Sequence, residues 1–182
     1  MATNKAMTRP ICMKTSFSIL LLWLATVSPV AFARPPGEVD IGMTLREATL
    51  HGLSGIPRKL SDYRGKPLII NVWASWCGPC RQEMGSLERL SKRNRGKQFV
   101  VIGISTDDYP DAAKAFLLKS KTTFSNYIDR QLVLETMLGA DRLPLTLLID
   151  ARGKVLARFY GAKEWDSPEA LDVIRKAFNM RL

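Results

Sequence analysis

The stretch Leu68-Ile69-Ile70-Asn71-Val72-Trp73 is an almost unbroken apolar run rich in β-forming residues. A strand buried on both faces of a sheet has this composition. A helical pattern opens within a few residues of its end: from Pro79 onward, Cys80, Met84, Leu87 and Leu90 fall along one stripe, with Gly96 in a stopping position. A buried strand feeding directly into an amphipathic helix is the start of a β-α unit. It commits the chain to a parallel pairing with a helix packed on the sheet.

The remaining chain repeats the theme. Phe99–Ile104 is a second buried strand, Asp111–Ser120 a helix after Pro110, and Phe124–Ile128 a short strand. Gln131–Leu138 is a short helix stopped by Gly139. Leu145–Ile149 and Val155–Tyr160 form strands joined by Asp150-Ala151-Arg152-Gly153, whose glycine suits a left-handed turn position. The last helix opens at Asp166-Ser167-Pro168-Glu169, with a cap residue, a first-turn proline and a carboxylate near its N-terminus. Ahead of the first buried strand, residues 34–42 read as a linker, a small β-hairpin is expected around His51-Gly52, and Leu60–Tyr63 is a single helical turn. The order β-α-β-α-β-α-β-β-α predicts an α/β fold, a central mixed sheet flanked by helices with an N-terminal β-hairpin extension.

Residues 1–33 differ from this pattern. Lys5, Arg9 and Lys14 give a basic start without acids, Phe17–Ala31 is mostly apolar, and Ala31-Phe32-Ala33 has the small-x-small form a signal peptidase needs. The segment reads as an export signal, with residues 34–182 as the domain. An uncleaved membrane anchor is the competing reading, since Ser16–Ala33 nearly spans a bilayer. Either way the domain lies outside the inner membrane, periplasmic and either soluble or anchored. Cleavage lowers the net charge from +10 to +7 and removes Cys12, leaving Cys77 and Cys80. The densest basic cluster, Lys92-Arg93-Asn94-Arg95-Gly96-Lys97, complements the end of a helix. The excess charge also fits attraction to anionic head groups of a membrane surface. No basic stripe interleaved with aromatics points to nucleic acid.

A pair of cysteines two residues apart closes almost no loop, so it restricts little unfolded-chain entropy and makes a poor structural staple. Chemistry is the better reading of Trp76-Cys77-Gly78-Pro79-Cys80. At a helix N-terminus, unpaired N–H groups and partial positive charge favour a thiolate at Cys77. The spacing puts Cys80 one turn up the same face, within disulfide reach. Cys77 attacks a substrate disulfide and Cys80 resolves the mixed disulfide. A zinc site is the alternative, but two cysteines and His51 fall short of four ligands. Neither a metal nor another cofactor is expected, and His51 receives no function. Trp76 is expected to flank the cysteines at the surface as an apolar contact for a partner, and Trp73 to lie in the core.

These residues carry a resemblance. WCGPC is the thioredoxin motif, and LSDYRGKP followed by IINVWASWCGPCRQEM, with Leu143-Pro144-Leu145-Thr146 before Leu147–Asp150, resembles the TlpA/ResA/CcmG (DsbE) group of exported thioredoxin-like thiol–disulfide reductases. The resemblance covers Ile41 to the C-terminus and implies a thioredoxin-like fold. It implies that Pro144 is cis and sits beside the cysteines, with the backbone of Leu143 receiving the substrate chain; read alone, Pro144 fits the start of a strand. It also implies that Glu83 assists proton movement at the cysteine pair, against the plainer reading of a solvated helix glutamate. Asn71 stands where thioredoxin has a buried aspartate. Two residues depart from the group's pattern. Gly85 replaces a frequent proline and is expected to loosen the helix, and Leu145 replaces a small polar residue, which implies a more apolar groove.

The resemblance implies a reductant for disulfides of exported proteins, such as apocytochrome c or a copper-site protein, recharged by a membrane electron donor of the DsbD/CcdA kind. Gly78-Pro79 supports that direction, because thioredoxin with the same dipeptide sits at about −270 mV and the oxidant DsbA at about −120 mV. A folding oxidant of the same compartment and a copper-assembly factor of the same fold are the alternatives. The first carries a helical insertion that has no room here, and the second usually has a downstream histidine; none follows His51.

Overall fold

The computed structural model describes residues 38–53 and 56–180, together with Met1. The expected export segment apart from Met1, residues 2–33, and the start of the linker therefore lie outside the described residues. Strands β1 (Thr49–Gly52) and β2 (Arg58–Lys59) precede a 3-10 turn at Leu60–Tyr63 and strand β3 (Leu68–Trp73). Then follow α1 (Gly78–Asn94), β4 (Val100–Ser105), α2 (Pro110–Ser120), β5 (Ser125–Ile128), α3 (Val133–Leu138), β6 (Leu145–Ile149), β7 (Val155–Tyr160) and α4 (Pro168–Phe178).

The seven strands form one mixed sheet in the order β2-β1-β5-β4-β3-β6-β7. β3 pairs parallel with β4, and β4 with β5; β6, β7, β1 and β2 pair antiparallel to their neighbours. This is the thioredoxin-like arrangement, with helices on both faces. β3 sits between β4 and β6 and every one of its residues is buried, which explains its apolar run. Its side chains alternate between two cores. Ile69 and Trp73 pack with residues of α1, α2 and α4, whereas Leu68, Ile70 and Val72 pack with residues of α3.

Cap chemistry fixes the helix ends. Ser167 accepts from the Ala170 N–H ahead of Pro168, and Gly139 ends α3 at φ +65°. α1 continues unbroken through Gly85, so the expected loosening leaves no break in its hydrogen-bonded span. Its left-handed cap is Arg95, one residue before the glycine that the pattern favours; Gly96 follows, also at positive φ. His51 and Gly52, expected near a turn, are strand residues of β1 paired with β5. β1 also meets β2 through Thr49–Lys59 and Leu50–Arg58, and residues 54 and 55 between the two strands lie outside the described residues. Among the described residues no helix is long and apolar enough to cross a membrane.

Candidate active site

The chain leaves β3 at Trp73 and enters α1 at Gly78, and Cys77 is the N-cap of that helix. Its sulfur accepts a hydrogen bond from the Cys80 N–H at 3.2 Å, in the place where a serine or aspartate oxygen usually caps a helix. The two cysteines are joined, with their Cα atoms 5.3 Å apart. Pro79 occupies the first turn, where a missing N–H costs no intrahelical bond. Cys80 is fully buried, while Cys77 keeps 6% exposure. Of the two sulfurs, Cys77 is the one that faces an incoming partner. Trp76 beside it is 71% exposed, and Trp73 lies wholly in the core, where its Nε1 donates to Asn126 Oδ1 at 2.9 Å.

The Leu143–Pro144 peptide bond is cis. Leu143 joins Trp76, Cys77, Thr106, Leu132 and Ala140 in lining an open groove of about 650 Å³, whose rim carries the carboxylates of Asp108, Glu135 and Asp141. Burial, and secondly the Asp129 carboxylate, push the Glu135 pKa up. The structure therefore brings Trp76, Cys77 and Leu143 to one groove. Leu145 is not part of it. The residue is fully buried and packs in the core on the α3 side, because β-strand alternation turns it away from α1. The apolar groove expected from Leu145 is thus corrected: its apolar surface comes from Trp76, Leu132, Ala140 and Leu143.

Glu83 is not a solvated helix residue. It lies on the buried face of α1, three residues after Cys80, with 1% exposure. Its Oε1 accepts from Asn71 Nδ2 at 2.7 Å, and its Oε2 accepts from Trp165 Nε1 at 3.0 Å and the Lys163 N–H at 3.1 Å. Asn71 Nδ2 also donates to Thr146 Oγ1 at 3.0 Å. Burial pushes the Glu83 pKa up to about 7, against the opposing pull of these donors. Ser86 joins the same helix face to the loop, donating to the Lys163 carbonyl and accepting from the Trp165 N–H.

No local pattern points to Trp165 or Ser86, whose contacts between α1 and the later loop span 77 to 82 residues. Asp107, Asp108 and Glu135 likewise belong to no motif. One signal was available for the first two: polar residues directly after β4 sit at the carboxyl end of a parallel strand, where α/β sheets place their ligands.

The sequence matches the Redoxin family over residues 40–174. This chain belongs to that family. Thiol-disulfide oxidoreductase ResA of Geobacillus thermodenitrificans is 33% identical to it over 140 residues, covering 75% of this chain and 80% of the relative. Thioredoxin-like protein YneN of Bacillus subtilis is 33% identical over 122 residues, covering 65% and 71%. Among solved structures, a DsbE-type thiol:disulfide interchange protein from Chlorobium tepidum superimposes with a TM-score of 0.70 at 30% identity, covering 77% of this chain and 99% of that one. This redoxin is a thiol–disulfide oxidoreductase of the ResA/DsbE type, and it carries a Cys77–Cys80 disulfide.

Proposed function

We propose that this oxidoreductase works as a reductant in the periplasm, exported by residues 1–33 and acting on disulfides of exported proteins such as apocytochrome c or a copper-site protein. The observation that carries the reading is the Cys77 sulfur at the N-cap of α1, receiving the Cys80 N–H beside an exposed Trp76. A thiolate there is stabilised by the helix terminus.

In the dithiol form, the Cys77 thiolate attacks one sulfur of the substrate disulfide. The substrate S–S bond breaks, a Cys77–substrate disulfide forms, and one substrate thiolate departs and takes up a proton. Cys80 then loses its proton and attacks the Cys77 sulfur. The mixed disulfide breaks, the second substrate thiolate is released, and the Cys77–Cys80 bond remains. Two electrons have passed to the substrate. Glu83, one turn behind Cys80 and with a pKa near 7, is suited to take the Cys80 proton, directly or through water. Trp76 and Leu143 line the groove that receives the substrate chain, and Pro144 follows Leu143 directly in the chain. A membrane dithiol donor of the DsbD/CcdA type returns the centre to its reduced form.

A Cys80→Ala variant expressed in full length tests this. It is expected to accumulate exported partners as mixed disulfides at Cys77, released by dithiothreitol. Recovery of the variant in the cytosol, or free of any disulfide-linked partner, would contradict the proposal.

A further inference from the structure

A second buried carboxylate stands behind the redox centre, and the exchange steps above do not use it. Asp107 follows the end of β4 and is 3% exposed. Its Oδ1 accepts from the Ser75 hydroxyl at 2.6 Å; its Oδ2 accepts from the Ser75 N–H at 2.9 Å and the Ser105 hydroxyl at 2.7 Å. The Asp107 N–H donates to Ser105 Oγ at 3.1 Å. Three hydrogen bonds thus converge on this one carboxylate, two of them from Ser75.

What it clamps is the approach to Cys77. Between Ser75 and Cys77 stands only Trp76, whose exposed ring has little packing to hold it in place. The direction of this segment rests on backbone ties: Thr106 N–H to the Trp73 carbonyl at 2.9 Å, Asp107 to Ser75, and Cys77 N–H to the Ala74 carbonyl at 3.1 Å. Asp107 also lies between Thr106 and Asp108 in the chain, and both of these line the same groove as Trp76 and Cys77. One carboxylate thus ties two of the segments that line the groove to each other.

We propose that Asp107 is a positioning residue for thiol exchange, which through Ser75 sets the direction from which Cys77 and Trp76 meet a substrate disulfide. The proposal rests on Cys77 being the attacking sulfur. Misplacing a reacting group by about 1 Å can cost up to about 100-fold in rate, whereas a small reagent free to approach from any side is insensitive to direction.

The test uses the full chain with Cys80→Ala, comparing the second-order rate of Cys77 with insulin disulfides and with iodoacetamide at matched thiolate fraction. Asp107→Asn and Ser75→Ala are each expected to slow the insulin reaction about 10-fold, a part of that range, and to leave iodoacetamide within about 2-fold. Ser75→Thr, which keeps the hydroxyl, is expected to retain the parent rate. Combining Asp107→Asn with Ser75→Ala should cost little more than either alone, since both cut the same tie. Folded variants with unchanged insulin rates, or with both reagents slowed equally, would overturn the positioning role. If the Asp107 variant does not fold, Ser75→Ala decides on the same two rates. A parent Cys77 inert to both reagents would instead overturn the nucleophile assignment on which the proposal rests.

Discussion

The side-chain amide of Asn71 donates a 2.7 Å hydrogen bond to Glu83 inside the core, linking β3 to α1 one turn beyond Cys80. Asn71 is fully buried, and among the described residues its Oδ1 has no partner. The amide supplies a donor and no titratable proton, so the burden of any proton held in this core falls on Glu83.

The sign of the resulting pH dependence is fixed. Glu83 ionises at about 7 in the fold against an ordinary 4.5, so the folded state holds its proton more tightly than the unfolded chain. The associated stability is complete below about pH 4.5 and is lost as pH rises to about 7, by on the order of 3 kcal/mol. Glu83→Gln removes this dependence, and the unpaired Asn71 Oδ1 is available to accept from the new amide after a side-chain flip. Urea unfolding at pH 4.5 and pH 8 is expected to show the native protein losing ground to the variant at the higher pH. A difference that stays constant between the two would refute the buried-carboxylate account.

The two cysteines should differ sharply in reactivity. With Cys80→Ala, Cys77 is expected to titrate below the free-thiol value of about 8.5. With Cys77→Ala, the fully buried Cys80 should react with iodoacetamide far more slowly at every pH. Alkylation rates against pH for the two variants decide this, and equal profiles would count against it.

Trp76 is a surface contact with no packing duty, so Trp76→Ala should leave the unfolding midpoint nearly unchanged. Loss of an exposed aromatic anchor is expected to lower kcat/KM for a protein disulfide about 10-fold, equivalent to roughly 1.4 kcal/mol. A small aromatic disulfide should be reduced at close to the parent rate. Parallel losses on both substrates would assign Trp76 to the redox chemistry instead.

Gly103 in β4 lies against the Trp73–Asn126 hydrogen bond, and a Cβ there would stand 2.8 Å from Asn126 Cγ and 2.9 Å from Trp73 Nε1. Gly103→Ala is therefore expected to destabilise the fold by about 1–3 kcal/mol, measured by urea unfolding. A variant as stable as the parent would mean that this core yields more readily than its close packing implies.

Local pattern made most of the scaffold legible. The bounds of β3, β6 and β7 follow from apolar runs and a turn glycine, and α4 from the Ser167-Pro168-Glu169 start. The Cys77–Cys80 pair was legible for the same reason, since its whole geometry is contained in one helical turn. Side-chain destinations were harder. The stop at Arg95 shows that tertiary context can place a left-handed residue one position away from the glycine that local preference favours. Leu145 went to the far core because strand parity, set by the register with β3, decides which face a residue takes. Asp107 and Ser75 are 32 residues apart and meet only because β4 pairs beside β3. No local periodicity encodes that contact.

Direction of electron flow is the central claim, and the reduction potential of the Cys77–Cys80 pair tests it most directly. Equilibrating the purified domain against glutathione or dithiothreitol and quantifying the two thiols gives the value. Gly78-Pro79 contains no histidine to favour the thiolate further, so the potential is expected near that of thioredoxin, about −270 mV, and far from the −120 mV of DsbA, a separation of about 7 kcal/mol. A value above about −150 mV, on the DsbA side of the range, would contradict the account and make the protein an oxidant.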